Sequence, residues 1–161
     1  MSQERREAMR EINGIAGLRE VEGNELGSSD WVPITQDQIQ MFAELTGDRQ
    51  WIHVDAERAA HSRYGGTIAH GFLVLAMVPA LAAQVFEVSG LEMVVNYGLE
   101  KVRFPAPVPA GSLIRVRVSV VAVTESDRGH LALFKHTVER EGTTRPVCVA
   151  EQLRLLIEAD R

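Results

Sequence analysis

Residues 72–86 carry one polar side chain, Gln84, in a run of alanine, leucine, valine, methionine and phenylalanine that holds Pro79. A helix apolar on every side has no face to give to water, so other elements must wrap it. A membrane span needs about 20 apolar residues. This run is shorter and contains a proline, so it reads as a core helix and no membrane span is expected. Pro79 lacks the N–H that would bond the Leu75 carbonyl, which predicts a kink at that turn.

Downstream of Gly90 the texture changes to strands, over 92–96, 99–104, 113–124, 130–140 and 147–157. In Leu113-Ile114-Arg115-Val116-Arg117-Val118-Ser119-Val120 the polar residues fall on every second position, the period of a half-buried strand. Ser126-Asp127-Arg128-Gly129 and Glu141-Gly142-Thr143-Thr144 supply the turns of an antiparallel meander. One long apolar helix followed by a meander is an α+β plan in which the sheet wraps the helix.

Upstream, Thr35 and Gln38 fit a capping box, and Ile39, Phe42 and Leu45 share one face of a helix over 36–46 that Gly47 ends. Asp55 reads as the N-cap of a second short helix ending near Ser62. Residues 1–29 are rich in Glu, Arg and Gly without sustained period, and read as a polar arm with one short helix over 2–12. Residues 30–161 then form a single domain. At 161 residues the chain can remove roughly two-thirds of its unfolded surface from water, enough for one core without staples.

A net charge of −5 argues against a nucleic-acid partner, since phosphate neutralisation needs clustered positive charge. The single Cys148 cannot form an internal disulfide, and no apolar run of signal-peptide length precedes Asp30. Both point to a cytoplasmic protein. The five histidines show no H-x-x-x-H or H-E-x-x-H spacing, so no metal is expected. No G-x-S-x-G elbow is present either. Cys148, inside an apolar strand, reads as a buried inert thiol.

Two segments could carry chemistry. Gly47-Asp48-Arg49-Gln50-Trp51-Ile52-His53-Val54-Asp55 brings a carboxylate and an imidazole close together in a predicted loop, the pairing that general acid–base work requires. The same residues also fit a loop cap and a satisfied, partly buried histidine. Tyr64-Gly65-Gly66-Thr67-Ile68-Ala69-His70-Gly71 runs directly into the apolar helix, whose first N–H groups lack partners and could hold a developing oxyanion. A flexible loop before an exposed helix start fits this second segment equally, and His70 alone reads as a packing residue.

Taken together, four segments resemble the MaoC-like hydratase/dehydratase family, in its nodulation-protein-N-like branch. They are Thr35-Gln36-x-x-Ile39, Gly47-Asp48-x-x-Trp51-Ile52-His53-x-Asp55, Gly66-Thr67-Ile68-Ala69-His70-Gly71-Phe72-Leu73, and Asn96-Tyr97-Gly98-Leu99-x-Lys101-Val102-Arg103-Phe104-Pro105-x-Pro107-Val108. The resemblance implies a hotdog fold, a long central helix wrapped by an antiparallel sheet and paired into a homodimer. It implies acyl thioesters of coenzyme A or acyl-carrier protein as substrates, hydrated from trans-2-enoyl to (R)-3-hydroxyacyl form or dehydrated in reverse. Asp48 and His53 take the role of activating water, and the Gly71 N–H that of holding the thioester oxygen. The neighbouring motif residues Trp51, Gly66, Ile68, His70, Asn96, Tyr97 and Gly98 are expected to line the substrate site. No cofactor is implied, because the thioester is itself the electron sink. Arg63, Lys101, Arg103, Arg115 and Arg117 are candidates for the anionic carrier. Two alternatives are a thioesterase and a non-catalytic acyl-thioester-binding module. Hydrolytic hotdog branches usually place a carboxylate on the central helix, and 72–86 has none.

Overall fold

The computed structural model describes residues 9–159. Strand β1 (Arg10–Ile12), helix α1 (Gly14–Glu20), strand β2 (Glu25–Ser28) and strand β3 (Val32–Pro33) come first. Helices α2 (Gln36–Thr46), α3 (Trp51–Val54), α4 (Ala56–Ala60) and α5 (Gly71–Ala82) follow. Strands β4 (Phe86–Val88), β5 (Leu91–Arg103), β6 (Leu113–Ser126), β7 (Gly129–Arg140) and β8 (Cys148–Glu158) complete the chain. The main sheet runs β2-β6-β7-β8-β5, with β3 also on β6 and all pairings antiparallel. β1 and β4 form a separate parallel pair. Among the described residues no helix is long and apolar enough to cross a membrane.

The alternation in β6 survives folding: Ile114, Val116, Val118 and Val120 are buried while Arg115, Arg117 and Ser119 between them are not. The buried row faces α5, which lies across β6 and β8. Val74, Val78, Leu81 and Ala82 of α5 join Phe134, Val138, Ala150 and Leu156 of the sheet in one core. This helix wrapped by an antiparallel sheet is the hotdog arrangement that the resemblance implies.

The wrapping is one-sided. Phe72 is 68% exposed, and Ala76 and Ala80, four and eight residues on, are exposed with it. The expectation of a helix buried all round therefore holds for one face only, because a single sheet covers a single side. The helix also ends at Ala82, four residues before the apolar run does. Val85 and Phe86 are still buried, but by a turn, with the Val85 N–H on the Ala82 carbonyl at 2.9 Å, and by β4.

Residues 9–28 are not an arm. Ile12, Ile15, Leu18 and Leu26 are all buried in the core, and β2 pairs with β6. The elements are three to seven residues long, too short to show a period, which is why the composition read as an arm. Of the helix expected over 2–12, residues 2–8 lie outside the described residues, and 10–12 are strand β1. The two strands expected over 92–104 are one, β5, whose pairing with β8 shifts register between Asn96 and Gly98.

Candidate active site

The site is assembled where α2, α3 and the start of α5 meet. α2 begins with the expected capping box, in which Thr35 Oγ1 accepts from the Gln38 N–H and Gln38 Oε1 from the Thr35 N–H. It ends at Gly47, whose φ of 77° lets the chain reverse into Asp48. The stretch that follows is not all loop, as spacing suggested: Trp51–Val54 forms the single-turn helix α3, closed by the Asp55 N–H on the Trp51 carbonyl at 3.0 Å. A turn this short is below the length at which hydrophobic period is visible.

Gln36 bolts α3 in place. Its Nε2 donates to the His53 carbonyl at 2.9 Å, and its Oε1 accepts from Thr67 Oγ1 at 2.5 Å. The 66–70 segment is stitched by the Ile68 N–H to the Ile52 carbonyl at 3.0 Å and the Ala69 N–H to the Val108 carbonyl at 2.8 Å. Sequence reasoning read Gln36 as the start of a helix and as part of a family-like segment but gave it no role at the site, since its two partners lie 17 and 31 residues away.

His53 is 6% exposed, and its Nδ1–H donates to the Ile68 carbonyl at 2.7 Å. Its Nε2 is then the bare nitrogen, with a lone pair to take a proton. Burial lowers the imidazole pKa below its usual value; the carbonyl bond raises it, His70 lowers it and Asp48 raises it, in falling order of weight. His70, 2% exposed, stacks on His53 with ring centroids 3.7 Å apart and 25° between planes. Its Nε2–H donates to the Asp48 backbone carbonyl at 2.9 Å. His70 thus ties the loop bearing Asp48 to the N-cap of α5, while Phe42 covers it at 5.0 Å.

Asp48 is exposed, and a carboxylate oxygen and a ring nitrogen from each of His53 and His70 lie within 4.8 Å of one another. Local spacing missed this grouping because the fold, not the sequence, brings the two imidazoles together. A three-donor group invites a metal. However, lone pairs of stacked rings lie in nearly parallel planes and do not converge on one point, so the arrangement suits a shared water better than a coordination sphere.

Gly71 opens α5, and the N-cap His70 gives no side-chain hydrogen bond to the helix start. The first N–H groups are therefore free for a ligand, at the positive end of the helix dipole. A Cβ on Gly71 would sit 2.8 Å from Phe104 Cγ, so the ring packs directly on the glycine. His53, Ile68 and Gly71 line a cleft of about 480 Å³ whose walls include Tyr64, Phe104, Pro107 and Val108, with Arg63 also on it.

The other expected substrate-site residues fall differently. His70 supports His53 from behind and is not on the cleft wall. Trp51 turns away to stack under Arg58, 4.3 Å from the ring centroid. Gly66 has nothing within 4 Å of its Cβ position and lies off the cleft, as does Tyr97, 58% exposed on β5. Asn96 and Gly98 line a second cavity of about 220 Å³. Of the five cationic candidates only Arg63 lies on the cleft. Arg115 and Arg117 pair with Glu139, Lys101 faces Glu151 at 4.0 Å, and Arg103 bonds the Val102 carbonyl.

The chain as a whole is similar to several known proteins. The chain is 50% identical over 146 residues to 3-hydroxyacyl-thioester dehydratase Z of Mycobacterium tuberculosis, covering 90% of this chain and 97% of that one. It is 42% identical over 139 residues to nodulation protein N of Rhizobium leguminosarum, covering 83% and 85%. An R-hydratase structure from Pseudomonas aeruginosa superposes with a TM-score of 0.69 at 25% identity, over 86% of this chain and 83% of that one. A family model for the MaoC like domain matches residues 19–141, and the chain belongs to that family.

Proposed function

We propose that this protein hydrates trans-2-enoyl thioesters to (R)-3-hydroxyacyl thioesters and catalyses the reverse dehydration. The observation that carries the reading is the bare Nε2 of His53, set by the Nδ1–H bond to Ile68, on the same cleft as the unpartnered start of α5. The thioester oxygen accepts from the Gly71 N–H, which acidifies C2 and polarises the C2–C3 double bond. His53 Nε2 takes a proton from a water held between it and Asp48, and the water oxygen bonds to C3. The electron pair of the double bond shifts onto the thioester oxygen as an enolate held at Gly71. The proton returns from the His53–Asp48 pair to C2, restoring the carbonyl. Each positioned proton transfer contributes about 100-fold or more.

Supplying crotonyl-CoA and following loss of the enoyl absorbance tests the reading, with chiral analysis expected to return the (R)-3-hydroxy product. Release of free CoA without hydration would assign the fold to a thioesterase instead. The apolar stripe of Phe72, Ala76 and Ala80, with the unpaired edge of β5 and its exposed Met93, Val94 and Leu99, supports a homodimer in which β5 pairs with its copy. Sedimentation should show a dimer that Val94→Lys with Leu99→Lys dissociates. A coenzyme A or acyl-carrier-protein thioester as partner and a cytoplasmic location complete the reading.

A further inference from the structure

Among the described residues that line the cleft, only His53, Arg63 and Tyr64 have polar side chains. The reaction uses His53 and the Gly71 N–H and leaves Arg63 and Tyr64 without a task. Burial orders the cleft around them. Val74, Val108 and Val147 on its wall are buried, whereas Arg63 is exposed and Tyr64 half-buried. The apolar wall suits the acyl chain, so the polar pair marks the mouth through which the thiol arm of a thioester leaves.

The fold fixes the pair there. After α4, Ser62 Oγ donates to the Ala59 carbonyl at 2.7 Å and accepts from the Tyr64 N–H at 3.1 Å. The Gly65 N–H closes the turn on the Ser62 carbonyl at 3.1 Å, with Gly65 at a φ of 69° that residues with a side chain rarely adopt. Arg63 lies over the Tyr64 ring, 4.9 Å from its centroid, and its Nη2 donates to the Tyr64 hydroxyl at 2.8 Å. Among the described residues Arg63 has no carboxylate partner and the Tyr64 hydroxyl hydrogen has no acceptor. A cation donating to the phenol oxygen draws electron density from its O–H and strengthens it as a donor. The mouth thus holds one strengthened donor whose acceptor the chain itself does not supply.

We propose that the Tyr64 O–H, polarised by Arg63, binds the first amide carbonyl of the thiol arm that carries the acyl group. Coenzyme A and acyl-carrier protein present the same N-acylcysteamine arm. Its amide carbonyl carbon is about five bonds from the thioester carbon, or about 6 Å at about 1.2 Å per bond. The cube root of the cleft volume of about 480 Å³ is about 8 Å, so both carbonyls of one arm fit within it. Arg63 is then a positioning residue acting through Tyr64, not a contact to the carrier's phosphates. Neither residue belongs to the β5 edge or the α5 stripe given to the dimer. The inference rests on the thioester reading above and names the part of the carrier that is recognised.

Saturated, unreactive ligands test this without turnover. S-butyryl-N-acetylcysteamine has the amide and S-ethyl thiobutyrate lacks it, and ligand-observed NMR titration reads both dissociation constants. Tyr64→Phe keeps the ring and removes the hydroxyl, and should shrink the preference for the amide ligand by about 3- to 10-fold, the worth of one hydrogen bond. Arg63→Gln should shrink it by a smaller factor, and no further in the Tyr64→Phe background; Arg63→Lys, which keeps the charge, should shrink it less. In crotonyl-CoA kinetics the Tyr64→Phe loss should fall on KM. A preference that Tyr64→Phe leaves unmoved overturns the inference. So does an Arg63→Gln penalty on butyryl-CoA binding that vanishes with the short N-acetylcysteamine thioester, which puts Arg63 on the phosphates. Absence of crotonyl-CoA hydration by the unaltered protein, alongside a preference that Tyr64→Phe still shrinks, refutes the catalytic reading and leaves the Tyr64 contact standing.

Discussion

Gly71→Ala separates steric demand at the helix start from helix stability. Gly71 is not among the glycines with positive φ, so alanine adopts its backbone conformation freely and gains about 1 kcal/mol of helix propensity where nothing else changes. The obstacle is Phe104, with Cγ, Cδ2 and Cδ1 at 2.8, 2.9 and 3.1 Å from the added methyl. Real Cβ contacts do not come that close, so the ring must swing or the first turn of α5 must retreat. Phe104 is 40% exposed and rests on Phe72 edge-on at 5.9 Å, so it can move, and the net stability change stays within about 1–3 kcal/mol. Its movement alters the cleft wall, and retreat of the turn displaces the N–H offered to the thioester. Loss or misplacement of such a donor costs about 100- to 1,000-fold in kcat. Thermal melting with crotonyl-CoA kinetics should therefore show a modest Tm change and a large fall in kcat. Adding Phe104→Ala to Gly71→Ala should recover much of the loss, bringing kcat close to that of Phe104→Ala alone. Unaltered kcat in Gly71→Ala would refute the reasoning.

Three further outcomes are expected. His70→Phe keeps the ring stacked on His53 but loses the Nε2–H to the Asp48 carbonyl, so kcat should fall about 10- to 100-fold with little change in KM as the Asp48 loop loses its tether. Catalysis needs the unprotonated Nε2 of His53, and burial lowers that group's pKa, so the acid limb of kcat/KM should fall below pH 6.5; a limb above 6.5 counts against the assignment. Burial, with Arg154 nearby, lowers the His136 pKa to about 4 folded against 6.5 unfolded, so stability should be flat above pH 7 and fall by about 3 kcal/mol as pH drops from 6.5 towards 4, where protons favour the unfolded chain. Urea unfolding across that range measures it, and His136→Gln should flatten the slope.

The parts of this fold that were readable in the sequence are those where one physical pattern dominates a long segment. The alternation of 113–120 and the capping box at Thr35 appear in the structure as read. The residues at 9–28 were misread because Ile12, Ile15, Leu18 and Leu26 are core residues in elements too short to show a period. The exposed stripe on α5 was invisible for the opposite reason: Phe72, Ala76 and Ala80 are as apolar as the buried face, and composition cannot say which side a sheet covers. At the site, Asp48 and His53 stood out because they lie in one short segment. The stacking of His70, the bolt at Gln36 and the hydrogen bonds joining His136, Gln152 and Asn96 depend on contacts across 16 to 56 residues, which no local pattern carries.

The most direct measurement is the rate of crotonyl-CoA hydration in Asp48→Asn, His53→Gln and the double variant. If the two side chains act on one water, each single change should lower kcat by about 100- to 10,000-fold, and combining them should cost little more than the worse of the two. Near-normal rates in either single variant, or losses that multiply in the double, would contradict a shared water and with it the account of the site.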